Sequence, residues 1–271
     1  MTRMPTYFIS HGGGPWPWMA DWRAMFKNLE ASFVQMVKDL PERPKAILMI
    51  SGHWEDNSFA VMSSANPPMV YDYSGFPPHT FQIQYKAPGA PDLAQKAADL
   101  IKAAGLPVRL DEKQGFDHGC FVPAYIMYPD ASVPVFQVSL PSRLDAERAW
   151  AFGRALAPLA DDGVLIVGSG SLTHNLFEFR GTHARPEAYA AEFAGWVREA
   201  VTQGDRTRLM RTLDDAPHAR RAHPTAEHFW PLLVAAGAAD PGLPAQVIDG
   251  GITHGVLAMD AYAFGMAGER A

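Results

Sequence analysis

A single α/β domain, with a central, mostly parallel sheet flanked by helices, is predicted by three observations. Short apolar runs alternate with amphipathic stretches at helical spacing along the chain. No internal repeat, low-complexity segment or linker breaks that alternation, so residues 1–271 read as one domain. Several of the apolar runs also end in glycine-flanked histidines, which puts a ligand-binding edge at the carboxyl ends of the strands.

The elements follow in order. Thr6–Ser10 is the first strand, and "HGGGPWP" follows it: successive glycines allow a sharp turn and a close approach, and the prolines stiffen the exit. Trp22, Met25, Phe26, Leu29, Phe33, Val37 and Leu40 then recur at helical spacing as far as Pro41. Strands are expected at Ala46–Ser51 and Phe59–Ser63. A helix runs through Leu93, Ala97, Leu100, Ile101 and Ala104, with Gly105 as its stop. Val133–Leu140 is a strand, Asp145–Ala160 a helix and Val164–Gly168 a strand. Pro186–Val201 is helical through Tyr189, Phe193, Trp196 and Val197. After Gly255, "VLAMDAYAF" fits a strand or a helix, and periodicity does not separate them.

Composition narrows the class. A chain of 271 residues, 48% of them apolar, can bury the core of one large domain. A formal charge of −6 with no basic run argues against a general nucleic-acid binder. The single cysteine, Cys120, excludes an internal disulfide and fits a reducing compartment. "MTRMPTYFIS" lacks the apolar core of a signal peptide, and no stretch is long enough to cross a bilayer. The expectation is a cytoplasmic protein with no membrane partner.

Histidines carry the functional signal. His11 follows the first strand, His53 follows "KAILMIS", and His174 lies just after "VLIVGSG". Parallel strands deliver their carboxyl ends to one edge, so these three converge by topology. His118, in "GFDHG", reaches the same edge from a loop. His228, in "HPTAEHFWPLL", sits near the start of an apolar helix at Pro231. One such histidine is usually a structural hydrogen-bonding group, but several sharing an edge point to a metal or catalytic site. His11, His53 and His228 could form a ligand face, with His174 and His118 left as acid–base groups; sequence order alone does not separate the two roles. His79, His183, His218 and His254 lack this setting and read as surface or structural residues. His223 reads as a helix-start residue before Pro224.

Rival motifs fail on their missing partners. "HGGG" is the oxyanion-hole element of esterases, yet no serine stands in G-x-S-x-G. "GSGS" has neither the dinucleotide fingerprint nor a phosphate-loop lysine, and H-E-x-x-H is absent. Cys120, close to His118 in sequence, reads as a small buried residue.

The ordered set "SHGGGP", "SGHWE", "YDYSGFPP", "YKAPGAPDLA", "GFDHG", "GSGSLTHN" and "PTAEHFWPLL" resembles the class III extradiol ring-cleavage dioxygenases, in the branch typified by 4,5-DOPA dioxygenase. The pieces run from residue 10 to beyond residue 230. The resemblance implies an α/β catalytic domain that opens a catechol-type ring with O2 at a non-haem metal centre. It implies His11, His53 and His228 as metal ligands, His174 as the acid–base residue and His118 as a second group near oxygen or substrate. Fe2+ is then expected for turnover, and three neutral ligands accommodate Zn2+ as well. Related branches place a carboxylate at the third ligand position, where this chain has His228 with Glu227 beside it. Trp16, Trp54 and Trp230 adjoin the key segments and are candidates for an aromatic wall or for plain core. The alternative from another class is a metal-binding or ligand-binding protein on the same fold without oxygenase activity.

Overall fold

The computed structural model describes residues 2–181, 184–239, 241 and 245–266, so His183 lies outside the described residues. Six strands form the central sheet: β1 (Thr6–Ser10), β2 (Ala46–Ser51), β3 (Val135–Gln137), β4 (Val164–Gly170), β5 (Ala245–Ile248) and β6 (Ala261–Phe264). Their spatial order is β3-β2-β4-β1-β6-β5. β3, β2, β4 and β1 run parallel, whereas β6 is antiparallel to both β1 and β5. Every residue of β1, β2 and β4 is buried. A parallel sheet covered on both faces demands the near-continuous apolar runs "TYFI" and "AILMI".

Six longer helices surround it: α1 (Lys27–Lys38), α2 (Pro91–Ala103), α3 (His118–Met127), α4 (Ala146–Leu156), α5 (Ala188–Thr202) and α6 (Trp230–Ala238). α6 lies over β1 and β4 and packs against α4. Two glycines of β4 permit that approach. A Cβ on Gly168 would stand 2.2 Å from the Pro231 carbonyl oxygen, and one on Gly170 would stand 2.1 Å from that of His228. The chain carrying His228 therefore rests directly on the strand, and the Ser171 amide donates to the His228 carbonyl at 3.1 Å. Strand alternation turns Ser169, between the two glycines, to the opposite face.

Several elements differ from the sequence reading for local reasons. The first helical stretch divides into Ala20–Met25 and α1, because Phe26 leaves helical geometry (φ −92°, ψ 18°) as its ring is buried. Pro158, which has no amide proton, divides Asp145–Ala160 after α4, whose start Asp145 caps by accepting from the Arg148 amide. Phe59–Met62 is a strand but pairs in parallel with Val108–Asp111, outside the central sheet. Val133–Leu140 contributes only β3 to that sheet; Leu140–Pro141 instead pairs with Glu55–Asp56. "VLAMDAYAF" resolves into two strands, Leu257–Ala258 and β6. His118 and Cys120 belong to the first turn of α3, not to a loop or a strand. Asp117 caps that turn, accepting from the Cys120 amide at 3.1 Å. His223 follows the short helix Ala219–Ala222 rather than starting one. Among the described residues, no helix is long and apolar enough to cross a membrane.

Candidate functional site

Three strand ends and the entry to α6 supply the site. The His11 amide extends the β1–β4 ladder by donating to Gly170 O at 3.1 Å, which aims its side chain at the sheet edge. Beyond β2, the Gly52 amide donates to Ser169 O and the His53 amide to Ser51 Oγ, closing the turn that presents His53. His228 arrives from the other side of β4. Nε2 of His53 stands 3.1 Å from Nε2 of His11 and 3.1 Å from Nε2 of His228.

Each of these rings has its other nitrogen occupied. His53 Nδ1 lies 3.2 Å from Asp72 Oδ2, and His228 Nδ1 lies 3.0 Å from Glu227 Oε1. His11 Nδ1 is 2.9 Å from Ser169 Oγ, whose single proton goes to the Gly119 carbonyl. The serine must then accept from His11, and ionised carboxylates can only accept. His11 and His228 thus carry the proton on Nδ1 and turn a bare Nε2 lone pair toward His53 Nε2. With the His53 proton on Nδ1, the side on which Asp72 Oδ2 lies, three Nε2 lone pairs face one another and the cluster is complementary to a cation. An ion about 2.0–2.1 Å from each imidazole nitrogen sets neighbouring ligand atoms about 3.0–3.4 Å apart, which His53 Nε2 matches against both of its neighbours. Two groups, His11 with His53 and His118, and His174 with Glu227 and His228, bring ligand atoms close enough together to hold a metal.

Burial fixes the protonation states. Removal from water, followed by mutual repulsion among the histidines, holds His11 and His228 far below the usual imidazole value. His53 is depressed chiefly by burial and by His118, with Asp72 pulling the other way. Neutral imidazole is the form that ligates metal.

Two further histidines flank the three. The His118 ring centroid is 3.9 Å from that of His53, and its Nδ1 donates to Asp72 Oδ2 at 2.7 Å. His174 stacks on His228 with centroids 3.5 Å apart and planes 12° apart, and its Nδ1 is 3.9 Å from Glu227 Oε1. Burial lowers the His174 pKa to about 4, against the pull of Glu227, so the ring is neutral near pH 7. The loop after it is anchored by Asn175, which accepts from the Phe177 amide and donates to Arg221 O. His174 is free of that task.

All five histidines singled out from the sequence meet here. His223 does not: its Nε2 donates to Leu172 O at 2.8 Å, tying the His174 segment to the chain before Pro224. His254 is buried and stacks on Phe179, His218 pairs with Glu192 at the surface, and exposed His79 donates to Trp18 O. Trp16 is core, with its indole N–H bound to His11 O. The aromatic neighbour of the cluster is Tyr73, edge-on to His118 at 5.8 Å. Sequence reading missed Asp72, Ser169 and Tyr73, although all three lie within the motifs quoted above. Cys120 is buried, and burial raises its thiol pKa well above the ordinary value, which suits packing and not nucleophilic attack.

An open α/β sheet thus carries at its strand ends a buried histidine cluster that could hold a metal ion. Residues 6–265 match the family of the catalytic LigB subunit of aromatic ring-opening dioxygenase, and the chain belongs to that family. It is 40% identical over 265 residues to a 4,5-DOPA dioxygenase extradiol of Beta vulgaris, covering 96% of each chain. To the protein of that name in Escherichia coli K12 it is 36% identical, covering 95% of this chain and 93% of the other. The crystal structure of an uncharacterized protein from Escherichia coli K12 superposes with a TM-score of 0.79 at 33% identity, covering 97% of this chain and all of that one. The chain is an extradiol aromatic ring-opening dioxygenase, acting on an aromatic substrate and O2.

Proposed function

We propose that residues 1–271 form one catalytic domain that opens the ring of a DOPA-like catechol, with His11, His53 and His228 as the protein ligands of a single divalent metal. The observation that carries this reading is the convergence of three Nε2 atoms, 3.1 Å apart across His53, with the Nδ1 atoms of His11 and His228 bonded elsewhere and that of His53 beside Asp72. Fe2+ is the ion of turnover, and Zn2+ fits the same nitrogens. Ferrous iron supplies the electron relay between the aromatic diol and O2; zinc, with no accessible second oxidation state, does not. DOPA as the substrate type is supported by the names of the relatives.

The chain's own groups handle protons. His174, neutral and beside the face on the His228 flank, accepts a catechol hydroxyl proton on its ring. Glu227 Oε1, 3.9 Å from His174 Nδ1, stabilises the imidazolium that results. On the opposite flank His118, its Nδ1 proton held by Asp72, keeps Nε2 available to substrate or oxygen. Tyr73 offers a ring edge on that side against which an aromatic substrate can pack.

Anaerobic loading with Fe2+ followed by oxygen uptake on a panel of catechols, DOPA among them, tests the proposal. One O2 consumed per ring opened, with zinc-loaded protein binding catechol but consuming none, is the expected result. Metal and catechol binding without oxygen uptake in either form would favour the binding-protein reading.

A further inference from the structure

Asp72 stands where one carboxylate serves two histidines of different roles. Its Oδ2 lies 3.2 Å from His53 Nδ1 and 2.7 Å from His118 Nδ1, while its Oδ1 accepts from the His118 backbone amide at 2.8 Å. The loop Val70–Ser74 carrying it is itself pinned: the Val70 amide donates to Phe116 O, and the Tyr71 and Tyr73 hydroxyls donate to Ile83 O and Thr80 O. The carboxylate is therefore delivered from a fixed loop to the first turn of α3 and to the turn after β2.

We propose that Asp72 is a positioning residue that sets the tautomer of both His53 and His118, so that one oxygen turns His53 Nε2 toward the metal and His118 Nε2 toward the substrate side. The geometry leaves no substitute. An amide at residue 72 that keeps its oxygen on the His118 amide places an NH2 group against both Nδ1 atoms. Both rings must then accept there and carry their protons on Nε2, which blocks His53 as a ligand. An amide turned the other way sets its NH2 against the His118 N–H. Either orientation costs metal binding without removing a ligand. This inference rests on the reading that His53 ligates the metal, and the His53→Ala variant tests that reading separately.

The experiment compares wild type, Asp72→Asn, Asp72→Ser, His118→Ala and His53→Ala as apoproteins. Zinc affinity is measured by chelator competition, and histidine tautomers by long-range 15N–1H correlation on the zinc-loaded proteins. Wild type is expected to show both His53 and His118 protonated on Nδ1. Asp72→Asn is expected to lose about 10- to 100-fold in zinc affinity, the range for outer partners of a ligand, and to move the His118 proton to Nε2. His118→Ala, which leaves the oxygen to His53 alone, should keep zinc affinity within about threefold of wild type. If Asp72→Asn fails to fold, Asp72→Ser is read in its place, its smaller side chain releasing both rings. Zinc affinity near wild type in the folded Asp72 variant, or a His118 protonated on Nε2 in wild type, would overturn the proposal. Undiminished zinc affinity in His53→Ala would instead overturn the ligand assignment beneath it.

Discussion

Removing the Ser169 hydroxyl should weaken metal binding far more than it weakens the fold. The hydroxyl accepts from His11 Nδ1 at 2.9 Å and donates to Gly119 O, all within buried surroundings. In Ser169→Ala the Gly119 carbonyl loses a partner, and His11 loses the acceptor that holds its proton on Nδ1. A buried orphan costs about 1–3 kcal/mol. The apoprotein has one escape: His11 can move its proton to Nε2 and donate to the bare Nε2 of His53, 3.1 Å away. The expected loss in the apoprotein is thus near that of one orphan, a fall of roughly 2–5 °C in Tm for a chain of this size. With His11 as a ligand, as proposed, a metal must reverse that tautomer before it can bind, so zinc affinity should fall about 10- to 100-fold, the range for outer partners of a ligand. Thermal melting of the apoprotein and chelator competition on the same preparation supply both numbers. A folded Ser169→Ala protein whose zinc affinity stays within twofold of wild type would refute the tautomer argument.

Three other outcomes are expected. His174→Gln should retain near-normal metal content and bind catechol, yet turn over about 10²- to 10⁴-fold more slowly by oxygen uptake; loss of metal from the folded variant would make His174 a ligand. Gly170→Ala sets a Cβ 2.1 Å from the His228 carbonyl oxygen, so melting should show a loss of about 1–3 kcal/mol together with lower metal content, because the His228 segment is pushed off β4. His223, buried and held neutral with its pKa lowered to about 4, is protonated more readily in the unfolded chain. Its contribution is complete above the unfolded value of about 6.5 and is lost as pH falls toward 4, at up to about 1.4 kcal/mol per pH unit. A His223→Gln protein should show a shallower acid limb in Tm against pH, and an unchanged limb would contradict this.

Much of the architecture was legible because burial on both faces leaves its mark in consecutive residues. β1, β2 and β4 are uniformly apolar until the point where a glycine or serine ends them, and the histidines stand at those ends. Convergence of His11, His53 and His174 then followed from parallel topology. The breaks at Phe26 and Pro158 carry weaker marks, since one ring buried out of register or one missing amide proton divides a helix without disturbing its apolar spacing. Phe59–Met62 has the composition of a sheet strand, and only tertiary pairing assigns it to Val108–Asp111 instead.

The outer partners of the histidines were the hardest to read. Asp72 lies 46 residues from His118, and Ser169 lies 158 residues from His11, so no local period links either pair. The motif "GSG" nonetheless contained the answer: glycines at 168 and 170 admit the His228 segment on one face, and the serine between them is free to hold His11 on the other. Glu227 stands beside His228 in sequence, where a carboxylate ligand is the natural alternative. The structure puts its Oε1 on His228 Nδ1, away from the converging Nε2 atoms.

The ligand set is tested most directly by a crystal structure of the zinc-loaded protein, with anomalous scattering measured on either side of the zinc absorption edge. One zinc ion per chain is predicted, about 2.0–2.1 Å from Nε2 of His11, His53 and His228, with His174, His118 and Glu227 outside bonding distance. An ion bound by the Glu227 carboxylate or by His174, or one that leaves any of the three Nε2 atoms uncoordinated, would contradict the account.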